Sequence, residues 1–284
     1  MKDEDTLLPT KLTQYMPSAY GRSAVLLPLL VLLAWLLAAL IATGMALPEV
    51  DLRHILHAPD AHSWLGYDDV GRQILPRLLK GAQVSLSVAV LVSLFSAMIG
   101  ISLGLWAGYR GGWWDSALMR ISDVFLAFPG ILLALAFAAV LGPGLVNIII
   151  ALSLTAWVSY ARLARIQTQS LMQQQYVLAA QSLGASHLRI ILRHILPMLS
   201  APLLVEATYS MASLVIAEAS LSFLGLGVQV PNPSWGAMLR DAVRYMLVAP
   251  HYLLVVGLSL MSLVLAVNRL GDELRQQLDV RGNT

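Results

Sequence analysis

Long stretches without a charged residue constrain this chain more than any other feature of its sequence. Each is long enough to cross a bilayer core, which needs roughly 20 apolar residues per helix. A run from Ile195 to Gly227 contains only Glu206 and Glu218 as charged residues. Four further runs lie between charged residues, namely Arg22 and Glu49, Lys80 and Arg110, Asp123 and Arg162, and Arg244 and Arg269. The pattern predicts an all-α integral membrane protein.

The number of spans depends on where proline and glycine interrupt these runs. The run after Asp123 is long enough for two helices, and the string LGPG at Leu141 to Gly144 would break it. We therefore expect separate spans at Ile121 to Leu141 and at Leu145 to Ala161. Together with the other runs, this predicts six transmembrane helices.

The composition agrees with a membrane protein, because 58% of the residues are hydrophobic and only 12% are charged. Soluble domains usually carry about 25% charged residues. The chain has no cysteine, which excludes disulfides and thiolate metal sites. The first apolar run follows a polar segment of about 22 residues, so we expect a lasting anchor and not a cleaved signal peptide.

Lysine and arginine are distributed unequally between the two sides of the predicted bundle. With six spans both termini share one side, and that side carries twelve of the basic residues: Lys2, Lys11, Arg22, Arg110, Arg120, Arg162, Arg165, Arg189, Arg193, Arg269, Arg275 and Arg281. The other side carries six: Arg53, Arg72, Arg77, Lys80, Arg240 and Arg244. Because basic residues accumulate on the cytoplasmic side, we expect both termini in the cytoplasm.

This topology divides the chain into three parts. Residues 1–82 would form a cytoplasmic tail, the first transmembrane helix and a periplasmic loop. Residues 83–271 would form the transmembrane core, with a cytoplasmic segment at about 167–196. Residues 272–284 would form a cytoplasmic tail.

The cytoplasmic segment contains QQQYVLAAQSLGASHLRIILR at Gln173 to Arg193, which predicts two short helices with a bend between them. The spacing places four residues on one helical face: Tyr176, Ala179, Ala180 and Leu183. Gly184 permits the bend, and Ser186 can cap a second helix running through Arg189. Such a knob could enter a groove of a partner protein. An interfacial helix lying on lipid is the alternative.

Several strings occur in a fixed order along the chain: LGYDDVGRQ, GYRGGWWD, LAFP, YARLAR, YVLAAQSLGAS with RHILP, EASLSFLGLG, PSWGAML and LGDELR. With them, residues from about Ser63 to Arg281 resemble the type I ABC importer permeases, specifically the branch that transports dipeptides, oligopeptides and nickel. The chain departs from that branch at several positions, which leaves the cargo open: Tyr67, Gln73, Pro76, Glu273 and Val280.

The resemblance implies a type I ABC transporter permease fold and a role in a larger importer of the bacterial inner membrane. Two separate ATP-binding subunits would bind ATP and magnesium, and this chain would bind no cofactor; it contains no GxxxxGK[ST] string for ATP phosphates. A second, homologous permease and a periplasmic binding protein would complete the assembly, with membrane lipid around it and no nucleic acid. The implied contact with the ATPase comprises Tyr176, Ala179, Ala180, Leu183, Gly184, Ala185, Ser186 and Arg189.

Polar residues outside the knob suggest further sites. Glu206 lies about 14 Å into its predicted span, so it either lines the translocation pathway or makes a structural hydrogen bond. We expect Asp123 to form an ion pair with the nearby Arg120. The loop residues Asp68, Asp69 and Arg72 would dock a binding protein or pack against the partner permease. The loop histidines His54, His57 and His62 admit a metal site, although we expect solvated side chains and no metal.

Other classes of function stay open at this point. An ion-gradient-driven secondary transporter would need intramembrane charges and repeated halves, and a membrane assembly factor or receptor-like anchor would use the knob only for binding. Within the resembling branch, the cargo could be dipeptides, longer peptides, nickel or metallophore complexes, or antimicrobial peptides.

Overall fold

The computed structural model of the chain describes residues 23–282, and side chains between residues 25 and 278. Ten α-helices occupy the described part: α1 (Ser23–Ala42), α2 (Ile74–Arg110), α3 (Gly112–Leu126), α4 (Gly130–Leu141), α5 (Leu145–Met172), α6 (Gln175–Ser182), α7 (His187–Ile190), α8 (Leu196–Phe223), α9 (Trp235–Val243) and α10 (Pro250–Gly282). A π-helical segment, Ile191–Ile195, joins α7 to α8. The described residues contain no named β-strand, only an isolated bridge between Tyr67 and Gln73. The all-helical expectation is confirmed.

Five described helices are long and apolar enough to cross a membrane, and the pair α3 and α4 brings the number to six if it counts as one span. The two helices of this pair are bent by 85° relative to each other. The expected span from Ile121 to Leu141 is therefore not one continuous helix, because it is broken between Leu126 and Gly130. The reason for this break is Pro129, which lacks an N–H and disfavours a helical conformation in the residue before it.

The bend shortens the part of this pair that can cross the membrane. α4 has 12 residues, which at 1.5 Å per residue extend roughly 18 Å, well short of a bilayer core of about 30 Å. α3 runs at nearly a right angle to α4 and exposes Trp113 and Trp114. Tryptophan is enriched where a membrane meets water, so α3 has the character of an interfacial helix.

The longest helix, α2, packs against α5 through a row of glycines one turn apart. A Cβ on Gly104 would lie 2.3 Å from the carbonyl oxygen of Ala161, and a Cβ on Gly100 would lie 2.4 Å from that of Trp157. Gly108 makes a similar close approach to Arg165. Small residues at every fourth position let transmembrane helices approach closely. The α2–α5 pair is therefore held at a distance that only glycine permits.

The bundle has two ends, which we name by what they carry. The knob end carries the C-terminal end of α2, the start of α3, and the helices α6 and α7. The loop end carries residues 43–73, 142–144 and 224–249, and there the backbone N–H of Gly144 donates to the carbonyl of Gly227 at 3.1 Å. Each of α2, α5, α8 and α10 extends between these ends.

Candidate coupling knob and cleft

The knob, residues Gln173–His194, exposes the face that the sequence predicts. Leu183 is 89% exposed and Tyr176 is 43% exposed, and Ala179 also faces outward, whereas Ala180 and Ala185 are partly buried. An apolar side chain as exposed as Leu183 loses the benefit of burial, which is about 1.5 to 3 kcal/mol for a leucine. This face therefore has the properties of a surface that a partner covers.

The bend of the knob depends on the backbone of Gly184. Its φ is +76°, in the left-handed region that favours glycine, and a Cβ there would meet no atom of the described residues within 4 Å. The restriction is therefore conformational and not steric within the chain. Ser186 occupies the N-cap position of α7 with an extended backbone, but its side chain makes no capping hydrogen bond. The expected position of this cap is confirmed, and the expected bond is wrong.

The opposite face of the knob is fixed to the bundle. Val177 and Ile190 are fully or almost fully buried, in one cluster with Leu105, Tyr160 and Leu199. Leu105, Tyr160 and Leu199 belong to α2, α5 and α8, respectively, so α6 and α7 both pack against membrane-spanning helices.

A polar contact adds to this packing. The hydroxyl of Tyr109, near the end of α2, lies 2.5 Å from Nδ1 of His187, the first residue of α7. Exposed Arg189 lies on the same short helix. A displacement of the knob would therefore reach α2 directly.

Ion pairs join α3 to the end of α5 beside the knob. Arg165 binds the carboxylate of Asp115 with two nitrogens, and its Nη2 lies 2.6 Å from Oδ2. Asp123 forms an ion pair with Arg162. The expected pair with Arg120 is wrong, because Asp123 pairs instead with Arg162 of α5.

A cleft of about 680 Å³ lies between the bent α3–α4 pair, α5 and α8. Gly130 and Ala134 line it from the bent pair, and Thr155 and Ser159 from α5. The α8 residues that line the cleft are Glu206, Tyr209, Ser210, Ser213, Leu214, Ile216, Ala217 and Ser220. The cleft thus brings a carboxylate and several hydroxyls together within membrane-spanning helices.

Glu206 lines this cleft and is partly buried. Its carboxylate has no hydrogen-bonding or charged partner among the described residues. A structural hydrogen bond, the alternative role for Glu206, therefore has no partner among the described residues. The geometry leaves the carboxylate available to a ligand or a partner chain.

Glu218, the second carboxylate of α8, occupies a different environment that sequence reasoning missed. It is fully buried, and the hydroxyls of Ser85 and Ser222 donate to its two oxygens at 2.7 Å each. The Ser222 bond joins residues one turn apart and could have been anticipated. Ser85 lies 133 positions away, so no local pattern indicates that it meets Glu218. Glu218 joins α8 to α2.

The loop-end residues Asp68, Asp69 and Arg72 do not form one exposed cluster. Asp68 is fully buried and accepts hydrogen bonds from Arg72 Nε at 2.8 Å and from Arg77. Arg77 also donates to the hydroxyl of Tyr252 at 3.1 Å. The expectation that Asp68 docks another protein is wrong, because its carboxylate is enclosed by this chain.

Asp69 lies beside this network and is partly buried, with Oδ1 enclosed and unpartnered in the described part of the chain. Burial, followed by the nearby carboxylates of Asp241 and Asp68, raises its pKa. Asp69 and Arg72 are the two residues of the expected docking set that retain some exposure.

Two of the loop histidines, His54 and His57, contact neighbouring side chains. His54 Nδ1 lies 2.9 Å from an oxygen of Asp51, and its ring stacks on Tyr67 with centroids 4.9 Å apart. His57 meets the edge of the same tyrosine. No group of three or more His, Cys, Asp or Glu side chains that could hold a metal occurs within residues that the structure describes.

Comparison with known proteins adds to this geometry. The family described as the binding-protein-dependent transport system inner membrane component matches residues 100–274. The glutathione transport system permease protein GsiD of Escherichia coli O6:K15:H31 (strain 536 / UPEC) is 45% identical over 257 residues, which cover 90% of this chain and 85% of that protein. The protein of the same name from Shigella boydii serotype 4 (strain Sb227) matches to the same extent.

Among solved structures, the MetNI methionine ABC transporter in an inward-facing conformation is similar to this chain. The TM-score is 0.56 at 22% sequence identity, over 70% of this chain and 95% of the matched chain. A second crystal form gives a TM-score of 0.52 at 20% identity. At this level of identity the likeness bears on the fold alone.

Proposed function

The chain belongs to the family of binding-protein-dependent transport system inner membrane components, and on that premise we propose that it carries peptides inward as the permease of an ATP-driven importer. As a member of this family it is a multi-pass inner-membrane protein, a permease of the ABC importer type. The peptide cargo is supported by the relatives named as glutathione permeases, which share 45% of residues over 90% of this chain. Glutathione is therefore the first cargo to test.

The single observation that carries the coupling role is the exposed apolar face of a knob whose other face is buried in the bundle. A partner that grips Tyr176, Ala179 and Leu183 would act on α2, α5 and α8 through Val177 and Ile190. We assign this contact to ATPase subunits, two per transporter, that bind ATP and magnesium. An ABC importer needs such subunits and a binding protein.

The remaining assembly is also part of the proposal. A second, homologous permease would complete the pathway, and the binding protein would approach the loop end near Asp69 and Arg72. The knob end and both termini would then face the cytoplasm, in agreement with the twelve basic residues on that side. The cleft containing Glu206 would form this chain's part of the pathway.

Reconstitution tests the proposed function. The chain, co-expressed with the ATPase, permease and binding-protein genes of its own genome, is purified as a complex and placed in proteoliposomes. We expect ATP-dependent uptake of glutathione or short peptides that requires the binding protein. Uptake driven by an ion gradient without ATP would identify a secondary transporter, and uptake of nickel without peptide would correct the cargo.

A variant of the knob tests the coupling role separately. Gly184→Trp forces a bulky residue into a left-handed conformation on the partner-facing bend, so we expect loss of assembly with the ATPase or ATP hydrolysis without uptake. Gly184→Asn is the matched control, because asparagine tolerates a left-handed backbone and adds far less bulk than tryptophan, so we expect it to retain more of the coupled uptake. Normal uptake per ATP hydrolysed by Gly184→Trp would contradict the assignment.

A further inference from the structure

The cleft combines open space with polar groups inside membrane-spanning helices. Its volume of about 680 Å³ lies within the range of roughly 300 to 1,000 Å³ that is typical of small-ligand sites. Hydroxyl groups line it on α5 and α8: Thr155, Ser159, Tyr209, Ser210, Ser213 and Ser220. Acyl chains form no hydrogen bonds with such groups. The lining is otherwise mostly apolar, so these hydroxyls are the few groups that can orient a polar part of a ligand.

Two of these hydroxyls are restricted to accepting hydrogen bonds. Thr155 donates its proton to the carbonyl of Leu152 at 2.9 Å, and Ser220 donates to the carbonyl of Ile216 at 2.8 Å. Each hydroxyl has one proton, so the remaining capacity of both oxygens is as acceptors. A ligand that donates hydrogen bonds matches them.

Glu206 gives the cleft its charge. It is the one charged side chain among the described residues that line the cleft, and no described residue pairs with it. An unpaired carboxylate in a membrane span is costly, and such residues commonly face a water-filled pathway or an ionic partner. No described residue of the cleft supplies a positive charge that could pair with this carboxylate.

Glu218 shows what a structural carboxylate in the same helix looks like. It is fully enclosed and receives one hydroxyl on each oxygen. Glu206 differs in both respects, since it borders open space and has no such donors. The contrast favours a ligand role for Glu206 over a packing role.

We propose that Glu206 and the acceptor hydroxyls of the cleft bind the amino-terminal ammonium group of a peptide during its passage. An ammonium group carries three donors and a positive charge, which matches one carboxylate and a row of acceptor oxygens. The inference rests on the proposed peptide transport and adds to it the part of the cargo that this chain recognises. Glu206 acts by pairing with this charge, so the site discriminates between free and blocked amino termini.

The test compares cargoes that differ only at this group. The complete transporter in proteoliposomes receives glutathione or N-acetylglutathione, and trialanine or N-acetyltrialanine, at concentrations that saturate the binding protein with each form. The measured quantity is the ratio of uptake of the free to the acetylated form. Because one binding protein serves every variant, its own preference cancels when the ratios of wild type and variant are compared.

We expect Glu206→Gln to reduce the wild-type ratio about tenfold, mainly through slower uptake of the free form. Glu206→Asp keeps the charge, and we expect it to retain most of the preference. Ile216→Val, a change in an apolar lining residue of the same helix, serves as the control for altered packing and should leave the ratio within about twofold.

The outcomes separate this proposal from the one it rests on. An unchanged uptake ratio in Glu206→Gln, which includes an equal loss of uptake of the free and acetylated forms, would overturn the ammonium site while leaving peptide transport intact. Failure of the Gln variant to assemble with the partner permease would assign Glu206 to that interface instead and also overturn the site. Absence of ATP-dependent uptake of every free peptide by the wild-type complex would refute the proposed function, and the site with it.

Discussion

Gly104→Ala is the substitution for which the structure gives the clearest expectation. The added Cβ would lie 2.3 Å from the carbonyl oxygen of Ala161 and 2.9 Å from the Cβ of Ala164. Ordinary contacts of a Cβ begin near 3.4 Å, so the first distance is about 1 Å too short. The obstacle is backbone, which cannot rotate away, and α2 must therefore move from α5.

Two opposing effects set the size of the loss. Replacing glycine by alanine inside a helix favours folding by up to about 1 kcal/mol. Overpacking a close contact costs typically 1 to 3 kcal/mol, and more when a backbone must shift. Separation of α2 and α5 also loosens the contacts of Gly100 and Gly108, so the upper part of that range applies. We expect net destabilisation of about 1 to 2 kcal/mol.

The matched control is Gly257→Ala in α10. A Cβ at Gly257 would meet no atom within 4 Å in the part of the chain that the structure describes, and the residue has no positive φ, so this change retains the helix-propensity gain without the clash. The assay is the apparent melting temperature of the purified protein in detergent. We expect Gly257→Ala to melt at or slightly above the wild-type temperature, and Gly104→Ala several degrees below it.

Equal melting temperatures for Gly104→Ala and Gly257→Ala would contradict this expectation. In that case α2 and α5 would be far enough apart to admit a methyl group, and the row of glycines would have no packing role. A larger series sharpens the comparison, since Gly100→Ala should behave like Gly104→Ala.

Three further changes test the loop end by the same melting assay. Arg77→Met removes one of the two cations from a fully buried carboxylate, and we expect a loss of about 3 kcal/mol; an unchanged melting temperature would contradict the buried network. Trp235→Phe removes the hydrogen bond from the indole N–H to the carbonyl of Leu78 at 2.9 Å, with an expected loss of about 1 to 2 kcal/mol and a smaller one if water reaches that carbonyl. Burial and neighbouring carboxylates raise the pKa of Asp69 above its ordinary value of 3.8, so its ionised form costs stability at neutral pH and the cost vanishes as the pH falls below 3.8. Asp69→Asn should therefore raise the melting temperature at pH 7 and lose this advantage towards pH 4; an equal gain at both pH values would argue against the raised pKa.

The membrane-spanning architecture could be predicted because it follows from composition along the chain. Charge-free runs locate the spans, and glycine at position 184 indicates the bend of the knob, which the structure contains with a positive φ. The break inside Ile121 to Leu141 was not predicted, because two signals compete in this run. Both LGPG and Pro129 interrupt the run, and an apolar run alone does not reveal which interruption turns the helix.

Close packing between helices was not predicted, although its signal is present in the sequence. Gly100, Gly104 and Gly108 recur every fourth residue, a spacing that places them on one face of α2. The spacing does not identify the helix that these glycines contact. Ala161 and Thr168 lie on a helix more than 50 positions later, and only the fold determines that this helix meets the glycine face.

The two carboxylates of α8 show why a site is harder to predict than a span. Both interrupt an apolar run, and both would be costly in lipid, so the sequence treats them alike. Their difference depends on what neighbouring helices bring to them. α2 supplies Ser85 to Glu218 and closes the space around it, whereas the bend before Pro129 moves the α3–α4 pair so that open space remains beside Glu206. The interruption that breaks the expected span into two helices thus leaves room for the cleft, and the chemistry of Glu206 follows from a backbone feature 77 positions earlier in the chain.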